Sequence, residues 1–239
     1  MQDVNGSHVA LITGGTRGLG LALAASLVDD GWQVVIDGRD QDALDAAVER
    51  LGSVVAIGGD VADDAHRRRL VDAVERLGRL DLLVNNASVL GPSPQPMLAD
   101  YPLDELEHVF AVNVLAPLSL VQATLPMLRR DGGTIIDVTS DAAVEGYAGW
   151  GGYGSSKAAL EQLSNVLAAE ERGVHVYWFD PGDMRTAMHQ AAFPGEDISD
   201  RPLPETVVPA VRRLLATAPP SGRFRTSDLL AAPASEVAQ

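Results

Sequence analysis

The sequence predicts an α/β protein: a parallel, doubly wound sheet of about seven strands with helices on both faces. Three observations carry that expectation. Short apolar runs alternate with stretches of helical length along most of the chain, as repeated βα units require. The first of those runs, Val9-Ala10-Leu11-Ile12, is continuously apolar, which suits a strand buried on both faces. A glycine-rich turn, Thr13-Gly14-Gly15-Thr16-Arg17-Gly18-Leu19-Gly20, separates the first apolar run from the first helical stretch.

In order, residues 9–12 (Val-Ala-Leu-Ile) read as the first strand, and 19–30 as a helix stopped by Gly31. Strands follow at 33–37, 54–57 and 81–84, with helices at 42–51 and 63–77 between them. A long helix over 103–130 contains Pro117 and Pro126, so a bend or ragged end is expected there. Residues 133–138 form a strand, 153–171 a helix and 174–179 the sixth strand that can be placed. Right-handed crossovers then give the doubly wound sheet. The least regular stretch, 188–204, carries three prolines and Gly195 and follows a strand's carboxyl end, where open α/β sheets bind ligands. It is expected to be a substrate lid. Residues 235–239 are expected to fray.

Composition bounds the function. A length of 239 residues suits one α/β domain and is short for two, so 1–239 is read as a single domain. The start, Met1-Gln2-Asp3-Val4-Asn5-Gly6, has neither the basic nor the apolar region of a secretory signal. No apolar stretch is read as long enough to span a bilayer. The absence of cysteine excludes disulfides and thiol catalysis. A net charge of −15 argues against binding nucleic acid or anionic membranes, which need clustered cations. A cytoplasmic protein is expected. The five histidines show no metal-ligand spacing, and no metal site is expected.

Gly14, Gly18 and Gly20 lie between strand and helix, where backbone N–H groups can approach a pyrophosphate at the helix N-terminus. The turn lacks the Gly-Lys-Ser/Thr ending of a triphosphate-hydrolysing loop. Far downstream, Tyr153 and Lys157 stand four residues apart, a phenol and an ammonium on one helical face. The ammonium can favour phenolate electrostatically, against an ordinary phenol pKa of about 10. Ser140 follows an apolar strand, and its hydroxyl can donate to a substrate carbonyl and steady developing negative charge.

Thr13-Gly14-x-x-x-Gly18-x-Gly20, Asn85-Asn86-Ala87, Asn113, Ser140, Tyr153-x-x-x-Lys157 and Pro181-Gly182 occur in this order. In these motifs, from about Val9 to Thr186, the chain resembles the short-chain dehydrogenases/reductases of the compact single-domain branch. The resemblance implies a Rossmann-type, NAD(P)-binding fold and hydride transfer between a carbonyl and an alcohol. It also implies roles for individual residues. Tyr153 would donate the proton, Ser140 would fix the substrate oxygen, and Lys157 would hold the nicotinamide ribose. The Asn113 carbonyl would hold a water linking Lys157 to solvent. Cofactor contacts would come from Gly14, Thr16, Arg17, Gly18, Leu19, Gly20, Asp60, Val61, Asn86, Ala87, Tyr153, Lys157, Pro181, Gly182 and Thr186. Ser88 departs from the family's usual glycine.

The end of the second strand, Val34-Val35-Ile36-Asp37-Gly38-Arg39, selects the cofactor. An acid there accepts from the ribose hydroxyls of NAD, whereas an arginine attracts the 2′-phosphate of NADP. The resemblance implies that, counting from Gly20, the family's acid position falls on Gly38 and its basic one on Arg39, with Arg17 at its second basic position, which favours NADP(H). A shift of one place would make Asp37 the ribose ligand, and NAD(H) stays possible. Candidate substrate contacts are Ser140, Tyr147, Trp150, Tyr153, Met188 and Phe193. Val89, Leu90, Glu145, Met184 and His189 complete the candidate walls and suit a modest apolar or aromatic carbonyl compound. Helices 103–130 and 153–171 carry apolar residues on more than one face, among them Leu160, Leu163, Val166 and Leu167, compatible with a homodimer or homotetramer. A rival reading is a nucleotide-sensing protein without catalysis; Tyr153→Phe separates the two.

Overall fold

The computed structural model describes residues 7–231, and the expected N-terminal segment Met1–Gly6 and tail 235–239 lie outside them. One seven-stranded sheet runs in the order β3-β2-β1-β4-β5-β6-β7, every neighbouring pair parallel. The strands are β1 Val9–Ile12, β2 Gln33–Gly38, β3 Val55–Gly58, β4 Leu82–Asn85, β5 Thr134–Val138, β6 His175–Asp180 and β7 Gly222–Arg225. The six strands placed from sequence fall within one residue of their expected bounds. The seventh was not placed, because Gly-Arg-Phe-Arg is too short and too charged to stand out as an apolar run.

Alternation along the strands feeds two cores. Ala10, Ile12, Val34, Ile36, Val84, Ile136, Tyr177 and Phe179 face one layer. That layer holds α1 (Gly18–Asp29), α2 (Gln41–Leu51), α8 (Val208–Thr217) and α9 (Thr226–Ala231). Val9, Leu11, Val35, Leu83, Ile135 and Val176 face the other, under α3 (Asp64–Leu77), α5 (Ala116–Asp131) and α6 (Gly151–Glu170). Asp40 and Asp63 cap α2 and α3 by accepting from Ala43 N–H (3.2 Å) and Ala65 N–H (2.9 Å). The sheet's order reverses between β1 and β4, and the strand ends there form the crevice that such folds use for ligands.

The long helix expected over 103–130 is a continuous run in three parts: α4 (Leu103–Phe110), a π turn (Ala111–Leu115) and α5. Its irregularity lies before Pro117, which occupies the first turn of α5, whereas Pro126 is accommodated inside the helix. Proline has no N–H to give to the carbonyl four residues back, and for Pro117 that carbonyl belongs to Asn113. The run Leu103–Asp131 also corrects the expectation about membrane-length segments, being long and apolar enough by composition. Half of its most apolar window is buried, and Leu120, Val121, Met127 and Leu128 pack into the second core. It is a core helix.

Residues 188–204 contain most of α7 (Ala187–Ala192) followed by irregular chain. Ser93 Oγ donates to the Ala191 carbonyl at 2.7 Å, tying α7 to the loop after β4.

Candidate active site

The glycine turn is locked from β4. Gly14 has φ +65°, and a side chain on Gly20 would lie 2.4 Å from the Gly14 carbonyl oxygen, so both positions exclude a Cβ. Asn86 Nδ2 donates to the carbonyls of Thr13 (2.8 Å) and Gly14 (3.1 Å). Thr13 Oγ1 accepts from the N–H groups of Asn86 and Ala87, both at 3.0 Å. These bonds commit the Asn86 carboxamide to shaping the turn. Leu19 is buried in the first core, leaving its backbone for any cofactor contact. Thr186 faces the turn, its methyl 3.5 Å from where a Gly18 Cβ would stand, while its Oγ1 caps α7 by accepting from His189 N–H (3.1 Å).

At the β2 end, Asp37 is 1% exposed. Its Oδ1 accepts from Gly14 N–H at 2.6 Å and its Oδ2 meets His66 Nε2 at 2.8 Å. Arg69 Nη2 lies 3.0 Å from His66 Nδ1 and donates to the Gly58 carbonyl at 2.8 Å. With Nδ1 accepting from Arg69, His66 donates its Nε2–H to Asp37. Asp37 is therefore bonded beneath the turn and does not face a ribose. The adjacent Gly38 leaves no room for an acid, since a Cβ there would meet Thr16 Cγ2 at 2.4 Å. Arg17 and Arg39 project as largely exposed guanidiniums, 3.8 Å from Asp40 and 3.6 Å from Asp60. Asp60 Oδ1 accepts from Ala62 N–H at 2.9 Å, and the Val61 side chain packs with Val112 and Ala116.

Tyr153, Lys157, Ser140 and Asn113 converge. Asn113 is fully buried in the π turn, an element often found at functional sites. Its Oδ1 accepts from Val89 N–H (2.9 Å) and Ser88 Oγ (3.1 Å), and its Nδ2 donates to the Val89 carbonyl (2.9 Å) and Ser156 Oγ (3.0 Å). Ser156 in turn donates to the Tyr153 carbonyl at 2.7 Å. Lys157 is 2% exposed; its Nζ donates to the Val138 carbonyl at 2.8 Å and stands 5.5 Å from the centre of the Tyr153 ring. Ser140 Oγ donates to Asp141 Oδ1 (2.8 Å) and accepts from Ala142 N–H (3.2 Å).

Burial dominates the electrostatics of the site. Burial pushes the Tyr153 phenol well above its ordinary value, the nearby Ser140 and Ser88 hydroxyls pull it back, and the Asp180 and Asp141 charges oppose them. Burial thus opposes the phenolate that the Lys157 ammonium would favour. Burial also pulls Lys157 down to about 8, against the Asp137 charge that raises it. Asp137 is itself pushed up by burial, while Asn85 Nδ2 and Ser164 Oγ, each at 2.7 Å, favour its charged form.

The expected substrate residues divide. Trp150 packs 5.8 Å from the rings of both Tyr153 and Phe193, and Leu90, Ala142, Ala191 and Ala192 complete an apolar cluster around the phenol. Tyr147 is exposed, its hydroxyl 3.0 Å from Asp141 Oδ2 and 2.9 Å from Glu145 Oε2, and Met188 is exposed on α7. Met184 packs against the first core rather than the cluster. His189 lies tilted against Phe193 (4.9 Å), with Nδ1 3.7 Å from Asp183 and a buried, unpartnered Nε2.

Comparison with known proteins decides the family. Residues 8–197 match the sequence profile described as short chain dehydrogenase. The chain belongs to the short-chain dehydrogenase family. It is 39% identical over 183 residues to the rhamnolipids biosynthesis 3-oxoacyl-[acyl-carrier-protein] reductase of Pseudomonas aeruginosa, covering 71% of this chain and 69% of that protein. It is 34% identical over 207 residues to sepiapterin reductase of Mus musculus, covering 80% and 79%. A short chain dehydrogenase from Shigella flexneri, solved in complex with NADP, superposes with a TM-score of 0.87 at 28% identity, covering 95% of this chain and all of that one. The chain is thus an oxidoreductase.

Sequence reasoning on this dehydrogenase missed the partners of its motif residues: Ser88, Asp137, Glu161 and Asp180. Thr139 Oγ1 donates to Glu161 Oε1 at 2.8 Å, and Asp180 Oδ1 accepts from Gly182 N–H at 3.0 Å. Strand alternation is the signal that could have found two of them. Asp137 shares its side of β5 with Ile135, and Asp180 its side of β6 with Val176, so both carboxylates face α6.

Proposed function

We propose that this dehydrogenase reduces a ketone or aldehyde with NADPH, Tyr153 giving the proton to the carbonyl oxygen. The observation that carries the reading is the Tyr153 phenol itself, buried in an apolar cluster with Lys157 Nζ 5.5 Å from its ring. A neutral phenol is a donor, which is what reduction needs.

The residues fit the dinucleotide. The turn at Gly14 and Gly20 brings backbone where a side chain would block a pyrophosphate, and Arg17 and Arg39 are the exposed cations for a 2′-phosphate. Asp37 is withdrawn beneath the turn and Gly38 admits no acid, so neither position sets a carboxylate against that phosphate. The Asp60 and Asp40 carboxylates beside the arginines temper the preference, which keeps NADH a second cofactor. When bound, NADPH supplies the hydride. The chain does the rest: Ser140 orients the carbonyl oxygen, Tyr153 releases its proton to it, and Lys157 holds the ribose. The Asn113 carbonyl, denied an N–H by Pro117, holds the water that restores the proton. In the reverse direction the same groups act in the opposite order.

The apolar cluster of Leu90, Ala142, Trp150, Ala191 and Ala192 supports a modest apolar or aromatic carbonyl substrate, with α7 and the chain to residue 204 as its lid. The exposed Leu103, Leu115 and Val166 support a homo-oligomer assembled through α4 and α6; Leu160, also expected there, is buried inside the chain. The lack of cysteine supports a cytoplasmic location.

The test is a panel of ketones, aldehydes and quinones, following the absorbance of NADPH and NADH. The expected result is consumption of NADPH, lost in Tyr153→Phe while NADPH binding persists. Equal turnover by the variant, or none by the parent with either cofactor, would overturn the reading and favour a nucleotide-sensing protein.

A further inference from the structure

Beyond the matched residues 8–197, the last strand carries two arginines around an aromatic residue. Phe224 packs edge-on to Tyr177 at 5.4 Å and joins the first core. Alternation therefore turns Arg223 to the other face of the sheet, where α6 lies. Register places Arg223 beside Trp178 and Arg225 beside Asp180.

Arg223 reaches three elements at once. Its Nε donates to Glu161 Oε1 at 2.9 Å, four residues after Lys157 on α6. Its Nη2 donates to the Ser140 carbonyl and to Asp180 Oδ2, each at 3.1 Å. Both acids have further duties: Glu161 accepts from Thr139, next to Ser140, and Asp180 accepts from Gly182 N–H. Arg223 is 20% exposed at its side chain, Glu161 12% and Asp180 7%, so these are mostly desolvated, charge-assisted bonds rather than a surface pair. Arg225, 3.7 Å from Asp180 Oδ2, adds a second cation. Two carboxylates gathered around one guanidinium would be left in mutual repulsion, and the Ser140 carbonyl without this donor, if the guanidinium were removed.

We propose that Arg223 is a positioning residue of the proton-transfer site. Its planar fork holds the Ser140 turn, the helix bearing Tyr153 and Lys157, and the Pro181–Gly182 turn in one fixed arrangement. The effect on turnover rests on the reading of the site given above, but the mechanical tie does not. Arg223 touches neither substrate nor cofactor in this role; it sets the distance from the hydroxyl of Ser140 to the phenol of Tyr153. A lysine replaces it only in part, because an ammonium lacks the planar fork that meets these acceptors in different directions.

The experiment compares the parent with Arg223→Ala and Arg223→Lys, without ligand, by site-resolved amide hydrogen exchange. NADPH affinity and turnover are measured alongside. Expected in Arg223→Ala is roughly ten-fold faster exchange confined to residues 139–144 and 180–184, with the amides of β1 and the glycine turn unchanged. Arg223→Lys should be intermediate, and millimolar guanidinium should partly restore Arg223→Ala. In turnover, kcat should fall by up to about 100-fold, as for a misplacement on the order of 1 Å, with NADPH affinity kept within about three-fold. Unchanged exchange at the two turns overturns the proposal, as does an increase spread evenly over the chain. Should Arg223→Ala fail to fold, Arg223→Lys decides by the same local comparison. Absence of turnover in the parent would sink the reductase reading alone, since the exchange pattern reports on the tie regardless.

Discussion

Lys157 should destabilise the protein it serves. Its side chain is 2% exposed, and burial lowers its pKa from the ordinary 10.5 to about 8. Between those values the unfolded chain holds a proton that the folded chain has released. Stability must then rise with pH through that window and fall as pH drops from 10.5 towards 8. At about 1.36 kcal/mol per pH unit, the gap corresponds to about 3 kcal/mol, which is the cost at neutral pH of keeping the ammonium charged inside the fold. Lys157→Met keeps much of the apolar stem and removes the charge. It also leaves the Val138 carbonyl without its 2.8 Å donor, a loss of about 1 kcal/mol. The variant should therefore be more stable than the parent by about 2 kcal/mol at pH 7.

The pH dependence is the sharper half of that prediction. Above pH 8 the parent recovers stability as Lys157 sheds its proton, so the variant's advantage should shrink. By pH 10.5 it should reverse to a deficit of about 1 kcal/mol, the lost hydrogen bond alone. Urea unfolding of both proteins at pH 7, 8.5 and 10 measures this, and titrating groups that do not feel the Lys157 charge cancel in the difference. A difference that stays flat across those pH values refutes the reasoning. The variant should also lose turnover, which makes the buried charge a stability sacrifice retained for function.

Arg39→Ala should raise the KM for NADPH by about 10- to 100-fold, the worth of a charge-assisted phosphate contact, and that for NADH far less; equal effects would remove the assignment. Ser88→Ala removes a hydroxyl that donates to Asn113 in this structure and that, turned to the phenol, lowers the Tyr153 pKa. The phenol should then titrate at higher pH, so alcohol oxidation should slow by about five-fold at fixed pH, the worth of one hydrogen bond. The acid limb of its pH–rate profile should move upward; a stationary limb would leave Ser88 a structural residue.

Much of the candidate site could be read in one dimension because its groups are tied to local backbone events. A glycine turn needs consecutive special residues, and a phenol and ammonium one helical turn apart need only a helix. Even the irregularity at Asn113 had a local cause, Pro117 four residues on. What stayed hidden were the groups that hold these residues from distant parts of the chain. Serine at position 88 reads as a minor departure from glycine, yet 25 residues later the chain returns with Asn113 to receive its hydroxyl.

Asp37 shows how far parity alone can reach. The order of residues left it either a ribose ligand or something else. Alternation in β2 separates Val34 and Ile36, in the first core, from Val35 in the second, and places Asp37 on the side of Val35 under α3. A buried carboxylate on that face needs a donor from α3, and His66 is the residue that meets it, at 2.8 Å. The remaining oxygen is then free to hold Gly14. An acid that looks like the selector of the cofactor is a brace for the turn that would bind it. The opposite case is β7, where no pattern within Gly-Arg-Phe-Arg reveals a strand. Only its pairing with β6 and the packing of Phe224 determine that Arg223 faces the site. Residues of that kind become legible once the sheet has closed, because their partners come from three separate segments.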